Sequence, residues 1–174
     1  MLDIGSGPVP GEMHLSAGQE PVAVGVCAHL KKEDTVVGTH RPHHFAIAKG
    51  VPLDRMTAEM FGKAAGLGKG KGGHMHLFDP SAHFACTGIV GAGIPQAVGA
   101  ALAYRKLGTG AVALAEFGEG ASNQGSFHEA LNMASHLEID DVIDPAETRP
   151  WLVRVLASAC AAPLPPRRGF IDAW

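Results

Sequence analysis

The stretch from Ala111 to Leu137 constrains the chain most, because three kinds of local physics follow one another in it. Ala111-Val-Ala-Leu-Ala115 is an apolar run that reads as a buried parallel strand. A helical pattern comes later, with Phe127, Ala130, Leu131, Ala134 and Leu137 on one face. The turn between them carries Gly118, Gly120 and Gly125 and one carboxylate, Glu119. A glycine-rich turn from a strand into a helix lets backbone N–H groups and the helix dipole meet an anion. A carboxylate there can hold a hard cation beside a phosphate. On mechanism alone two readings stand: a metal–diphosphate site, or an ordinary strand-to-helix loop with a surface Glu.

With 174 residues, 46% of them apolar, the chain is long enough for one domain with its own core. Charges and prolines interrupt every apolar run before it reaches the length of a membrane span, so no membrane role is expected. Met1-Leu-Asp-Ile-Gly5 has neither the basic start nor the apolar stretch of a secretory signal. Cys27, Cys86 and Cys160 lack metal-ligand spacing and fit a reduced compartment, so a cytoplasmic location is expected. Net charge is −3, and no basic block beyond Lys69-Gly-Lys71 would draw nucleic acid.

Ahead of the central stretch, Gln19 to Leu30 reads as a helix with Ala23, Val26, Cys27 and Leu30 on one face. His14 precedes it by a few residues. Asp34-Thr-Val-Val-Gly-Thr39 reads as a short buried strand, and His40-Arg-Pro-His-His-Phe45 follows at its carboxyl end, where open α/β sheets bind ligands. Arg41 is placed to pair with a phosphate or to form a surface ion pair. Val51 to Phe61 reads as a helix with Leu53, Met56, Met60 and Phe61 in the core. Gly62 to Gly73 has the composition of a linker, and Gly72 after Lys71 removes the ending of a P-loop. His74 and His76 have no neighbouring carboxylate at ligand spacing and read as loop histidines. Thr87-Gly-Ile-Val-Gly-Ala-Gly-Ile-Pro95 reads as a tight loop before a helix from Pro95 to Leu107, whose Ala97, Ala100, Ala101 and Ala103 allow close packing.

Several of these segments, in this order, resemble one family. Gly118-Glu-Gly120, Asn123-Gln-Gly125 and Glu129-Ala-Leu-Asn-Met-Ala134 resemble the first part of the thiamine-diphosphate motif of 2-oxo acid dehydrogenase alpha subunits. His14 before Gly18-Gln-Glu20, Arg41 in its histidine-rich turn, Lys69-Gly-Lys-Gly-Gly-His-Met-His76 and Gly88-Ile-Val90 extend the match over residues 11 to 138 or so. The resemblance implies an α/β fold, the thiamine-diphosphate-binding fold with a parallel sheet flanked by helices, here truncated. It implies oxidative decarboxylation of a 2-oxo acid and acyl transfer to a lipoyl group, with thiamine diphosphate and Mg²⁺ as cofactors. By the same likeness, His40 and Arg41 meet the diphosphate, and Gly118, Gly120 and Ala121 shape its site. Glu119 would hold Mg²⁺ where the family most often has Asp, a ligand about 1.5 Å longer. Gly88 and Val90 offer backbone groups to the aminopyrimidine, and His14 lies near the reacting carbon. Implied partners are a beta subunit, which brings the carboxylate that activates the cofactor, and a lipoyl-bearing acyltransferase in a homo- or hetero-oligomer. The His40-Arg41 wording and the run Gly118 to Asn123 lean toward the acetoin branch over the pyruvate and branched-chain ones.

The likeness stops after Ile139. Where the family continues into a strand and an Asn-Asn pair that completes the metal site, no Asn follows Asn132. Residues 139–174 read as a divergent helical tail, opening near Pro145 with Trp151, Leu152, Val155 and Leu156 on its apolar side and ending in Pro163-Leu-Pro-Pro-Arg-Arg-Gly169. Asp140 to Arg149 also resembles the C-terminal end of acyl-CoA carboxylase carboxyltransferase subunits. The expected organisation is therefore a partial cofactor-binding domain over 1–138 and the tail. The alternative to a working subunit is a non-catalytic paralogue or assembly partner with an incomplete Mg²⁺ site.

Overall fold

The computed structural model describes residue 9 and residues 11–136, so Leu137, Cys160 and the expected tail lie outside the described residues. Four strands form one sheet in the order β2-β3-β1-β4. Strand β1 (Thr35–Gly38) is central and pairs in parallel with β3 (Phe84–Cys86) and β4 (Ala113–Ala115). Strand β2 (Phe78–Asp79) departs from the all-parallel expectation: it folds back antiparallel on β3 through the short turn at 80–83.

Alternation along β1 sends successive side chains to opposite faces. Val36 enters a core with Ala23 of α1 (Glu20–Cys27), Phe45 and Ala46 of α2 (His43–Ala48), Met56 of α3 (Leu53–Met60), and Leu77, Phe84 and Cys86. Val37 points the other way, where a Cβ on Gly93 would meet it at 3.2 Å. That glycine opens α4 (Gly93–Leu107), which lies on β1 and β4. A second, smaller core joins Ile94 of α4, Ala121 of α5 (Glu119–Ser122) and Ala130 of α6 (Gly125–His136). Phe45, Phe84 and Leu77 are fully buried, and burial of each such side chain contributes about 1.5–3 kcal/mol.

Most expected elements are present with ends shifted by a few residues. Three expectations are corrected. Strand β4 is half-buried, not buried, because among the described residues it pairs only with β1 and stands at the sheet's edge. Leu53 and Phe61 are exposed; helix α3 turns Met56, Glu59 and Met60 inward instead, so its buried stripe lies at 56, 59 and 60. The histidine-rich segment after β1 is not only a turn, since α2 starts within it at His43. No helix among the described residues is long and apolar enough to cross a membrane.

Candidate functional site

The carboxyl ends of the three parallel strands converge on a cleft of about 220 Å³. Gly38, Thr39 and His40 leave β1 into it, Thr87 leaves β3, and Glu116, Phe117 and Gly118 leave β4. The chain departs β1 toward α2 on one face and β3 toward α4 on the other, which is how open α/β sheets create a ligand crevice. Of the residues expected at a site, His40, Val90, Gly118, Glu119, Gly120 and Ala121 line this one cleft, although nearly eighty positions separate His40 from Gly118. Gly120 neighbours Val90: a Cβ on it would sit in ordinary contact, 3.8 Å from the valine Cγ1. Gly91, at φ +87°, closes the turn: a Cβ there would meet the Ser126 Oγ of α6 at 2.8 Å.

Three expected residues stand next to the cleft without lining it. Gly88 packs on the loop at 75–76, where its missing Cβ would come within 3.3 Å of the His76 Nε2. The Arg41 guanidinium donates to the Leu15 carbonyl. The His14 ring meets His40 edge-on, with centroids 4.9 Å apart, and stacks on His74 at 5.6 Å. His74 in turn stacks on His43 at 5.5 Å. Burial pushes the His74 imidazole down to about 4, and the neighbouring histidines add to the effect. Its Nε2 accepts the His14 backbone N–H at 2.9 Å, which assigns its proton to Nδ1. Burial likewise lowers His40 and His43. His40, His43 and His74 are therefore neutral hydrogen-bonding groups at neutral pH. Among the described residues, no cluster of three or more His, Cys, Asp or Glu could hold a metal ion.

Glu116 is a site residue that the sequence reading passed over. Its Oε2 accepts the Thr39 N–H at 3.1 Å and the Thr39 hydroxyl at 3.3 Å, tying the ends of β4 and β1 together. Burial raises its carboxyl above the usual carboxylate range, while the Thr39 N–H and His44, 3.9 Å away, pull it back. Its place directly after an apolar strand was the available signal. Cys86 is no nucleophile: it is buried, its Sγ accepts the Leu77 N–H at 3.0 Å, and burial pushes its thiol up to about 12.

The glycine–lysine segment is not a linker. Glu59 is fully buried, and its carboxylate accepts N–H groups from Gly68, Gly70 and Gly72 at 2.7, 2.8 and 2.7 Å. Burial alone would raise its carboxyl, but the N–H donors outweigh that and hold it below the usual range. The loop's concave donors, which in a phosphate-binding loop would face a ligand, are thus filled by the chain's own anion.

Comparison with known proteins gives this geometry its relatives. The model of the family described as "Dehydrogenase E1 component" matches residues 3–143. The chain belongs to that family. A curated relative, the alpha subunit of an acetoin:2,6-dichlorophenolindophenol oxidoreductase from Bacillus subtilis, is 53% identical over 130 residues, 74% of this chain and 39% of its own length. Its namesake from Cupriavidus necator is 47% identical over 77% of this chain and 40% of its own. A pyruvate dehydrogenase E1 component subunit alpha from Rhizobium meliloti is 44% identical over 75% and 38%. The chain therefore spans about two fifths of the length of these dehydrogenase E1 relatives. Within the matched span lie the whole cleft, the histidine group and the Glu59 loop.

The donor set decides what such a cleft can accept. Glu119 is exposed in the cleft and is a hard oxygen ligand. Glu119 alone does not make a cation site, and the other carboxylate of the cleft, Glu116, is engaged by Thr39, yet Mg²⁺ is commonly held by one or two carboxylates with phosphate oxygens and waters completing its shell. A cation at Glu119 would need the oxygens of a phosphate group and waters to complete its shell. Val90, Ile89 and Ile94 supply an apolar side for a ring.

Proposed function

We propose that this chain is the cofactor-binding part of an alpha subunit that works with thiamine diphosphate and Mg²⁺ on a 2-oxo acid or acetoin. The carrying observation is the convergence of three sequence-distant segments, at His40, Val90 and 118–121, on one cleft at the parallel strand ends. Thiamine diphosphate, when bound, supplies the nucleophilic carbon for cleaving the bond next to a carbonyl. The chain's own residues bind and orient. His40 would face the diphosphate with Arg41 beside it, Glu119 would hold the cation, and the backbone of Val90, with Gly88 next to it, would meet the pyrimidine. His14 would stand beside the reacting centre, where an imidazole can hold or give a proton. A beta subunit completes the site, and a lipoyl-bearing acyltransferase takes the acyl group, in the reducing cytoplasm. The two acetoin oxidoreductase relatives support the acetoin branch.

A non-catalytic assembly chain is the second reading, favoured by the single exposed cleft carboxylate on which the cation would depend. Calorimetric titration of the chain with thiamine diphosphate, with and without Mg²⁺, separates the two. The proposal expects Mg²⁺-dependent binding, weakened at least tenfold (about 1.4 kcal/mol) in Glu119→Ala. A folded chain that binds nothing under either condition sinks it.

A further inference from the structure

We infer that Glu59 is a positioning residue for the cleft-side histidines His14, His40 and His74, acting through the loop it gathers. The inference rests on the cofactor reading above, because His14 and His40 count as site residues only under it. Four links carry it. First, the fully buried carboxylate collects the N–H groups of Gly68, Gly70 and Gly72, three alternate residues of an otherwise irregular loop. Second, the last of these stands two residues before His74. The loop closes so tightly there that a Cβ on Gly72 would meet the His76 carbonyl at 2.6 Å and Glu59 Oε1 at 3.3 Å. Third, the buried His74 ring accepts the His14 N–H and stacks on both His14 and His43. Fourth, His14 touches His40, which lines the cleft. The segment around His14 has no helix or strand of its own. Among the described residues, the His14–His74 bond and the Arg41 bond to the Leu15 carbonyl tie it to the body of the protein, and the His14 ring packs on His40 and His74. A displaced 72–74 segment therefore moves His14.

A mere folding staple would not reach the imidazoles, and that is the difference to measure. Side-chain NMR of the unliganded chain follows each histidine ring through a pH titration, in wild type and in Glu59→Gln, with Glu59→Asp as the milder variant. The inference expects the His74 and His14 signals of a still cooperatively folding variant to move, with His74 titrating closer to an ordinary histidine. Histidine titrations that superimpose on wild type would overturn it. Amide exchange on the wild-type protein asks the same question without a variant. The His14 N–H should exchange through the same opening as those of Gly68, Gly70 and Gly72; a His14 amide that exchanges independently of them overturns the inference. Neither readout uses cofactor, so absence of thiamine diphosphate binding would fell the functional reading and leave this result standing on its own.

Discussion

Buried carboxylates in this protein are answered by backbone donors, and each answer fixes a different join. Asp34 is buried just before β1, where its Oδ2 accepts the Lys31 N–H at 2.7 Å and its Oδ1 the Val112 N–H at 2.8 Å. It thereby sets the register in which β4 meets β1 at the end opposite the cleft. Asp34→Ala removes both acceptors and leaves two donors without their partner at a part-buried site. The expected cost is about 1–3 kcal/mol, read as a lower urea midpoint at unchanged m-value. Glu59 and Asp34 were both visible in the sequence as letters and invisible as partners. A carboxylate on the inward stripe of α3, beside Met56 and Met60, was the only hint for Glu59. Periodicity marks which face is buried but says nothing about which backbone donors will arrive there from a glycine loop.

At the scale of elements, legibility followed length. Helix α4 runs fifteen residues and ends on Gly108 in the left-handed conformation at φ +66°, so pattern and cap agreed with the expected helix. Strands β2 and β3 have two and three residues, too few for alternation to register, and neither was expected. Helix α2 hides behind Pro42, which reads as a turn residue yet takes the N-cap position. The cleft residues were legible through family resemblance more than through pattern, because their meeting depends on parallel pairing of β1 with both β3 and β4. Gly91 shows how closely those elements meet. Its φ of +87° already disfavours a side chain, and a Cβ would press on Ser126 Oγ at 2.8 Å and Gln124 Cβ at 3.2 Å. Gly91→Ala is expected to destabilise the fold by at least about 1 kcal/mol and to loosen the start of α6 against α4. Thermal unfolding gives the first, and faster amide exchange in 125–136 the second. An unchanged melting temperature would contradict the packing described for this turn.

For the whole molecule, the titrating groups set a direction in pH. His74 is held down to about 4, with burial the largest cause, and His40 and His43 are lowered by the same cause. An unfolded histidine takes its proton near pH 6.5, so between 6.5 and about 4 the unfolded chain binds more protons at His74 than the folded one, and His40 and His43 act in the same direction below 6.5. Stability at those sites is therefore fully present above the unfolded value and is lost as pH falls toward the folded one. Glu59, whose carboxyl is lowered on balance, acts in the same sense at more acid pH, below the ordinary carboxylate range. Glu116 opposes both. Its raised carboxyl favours the folded state while protonated, and that contribution fades as pH rises through its folded value. Three histidines shift in the same direction, and His74 alone spans the window from 6.5 to about 4, so the net expectation is a loss of stability on acidification from pH 6.5. His74→Gln isolates its share, because a glutamine carbonyl can still accept the His14 N–H while carrying no titrating ring. Urea unfolding at half-unit steps from pH 7 to 4 should show the wild-type curve falling more steeply than that of the variant, with the gap between them narrowing or reversing toward pH 4. Parallel curves over that range would mean that His74 takes up its proton equally well in the folded chain, and that the histidine group is open to water rather than packed behind the cleft.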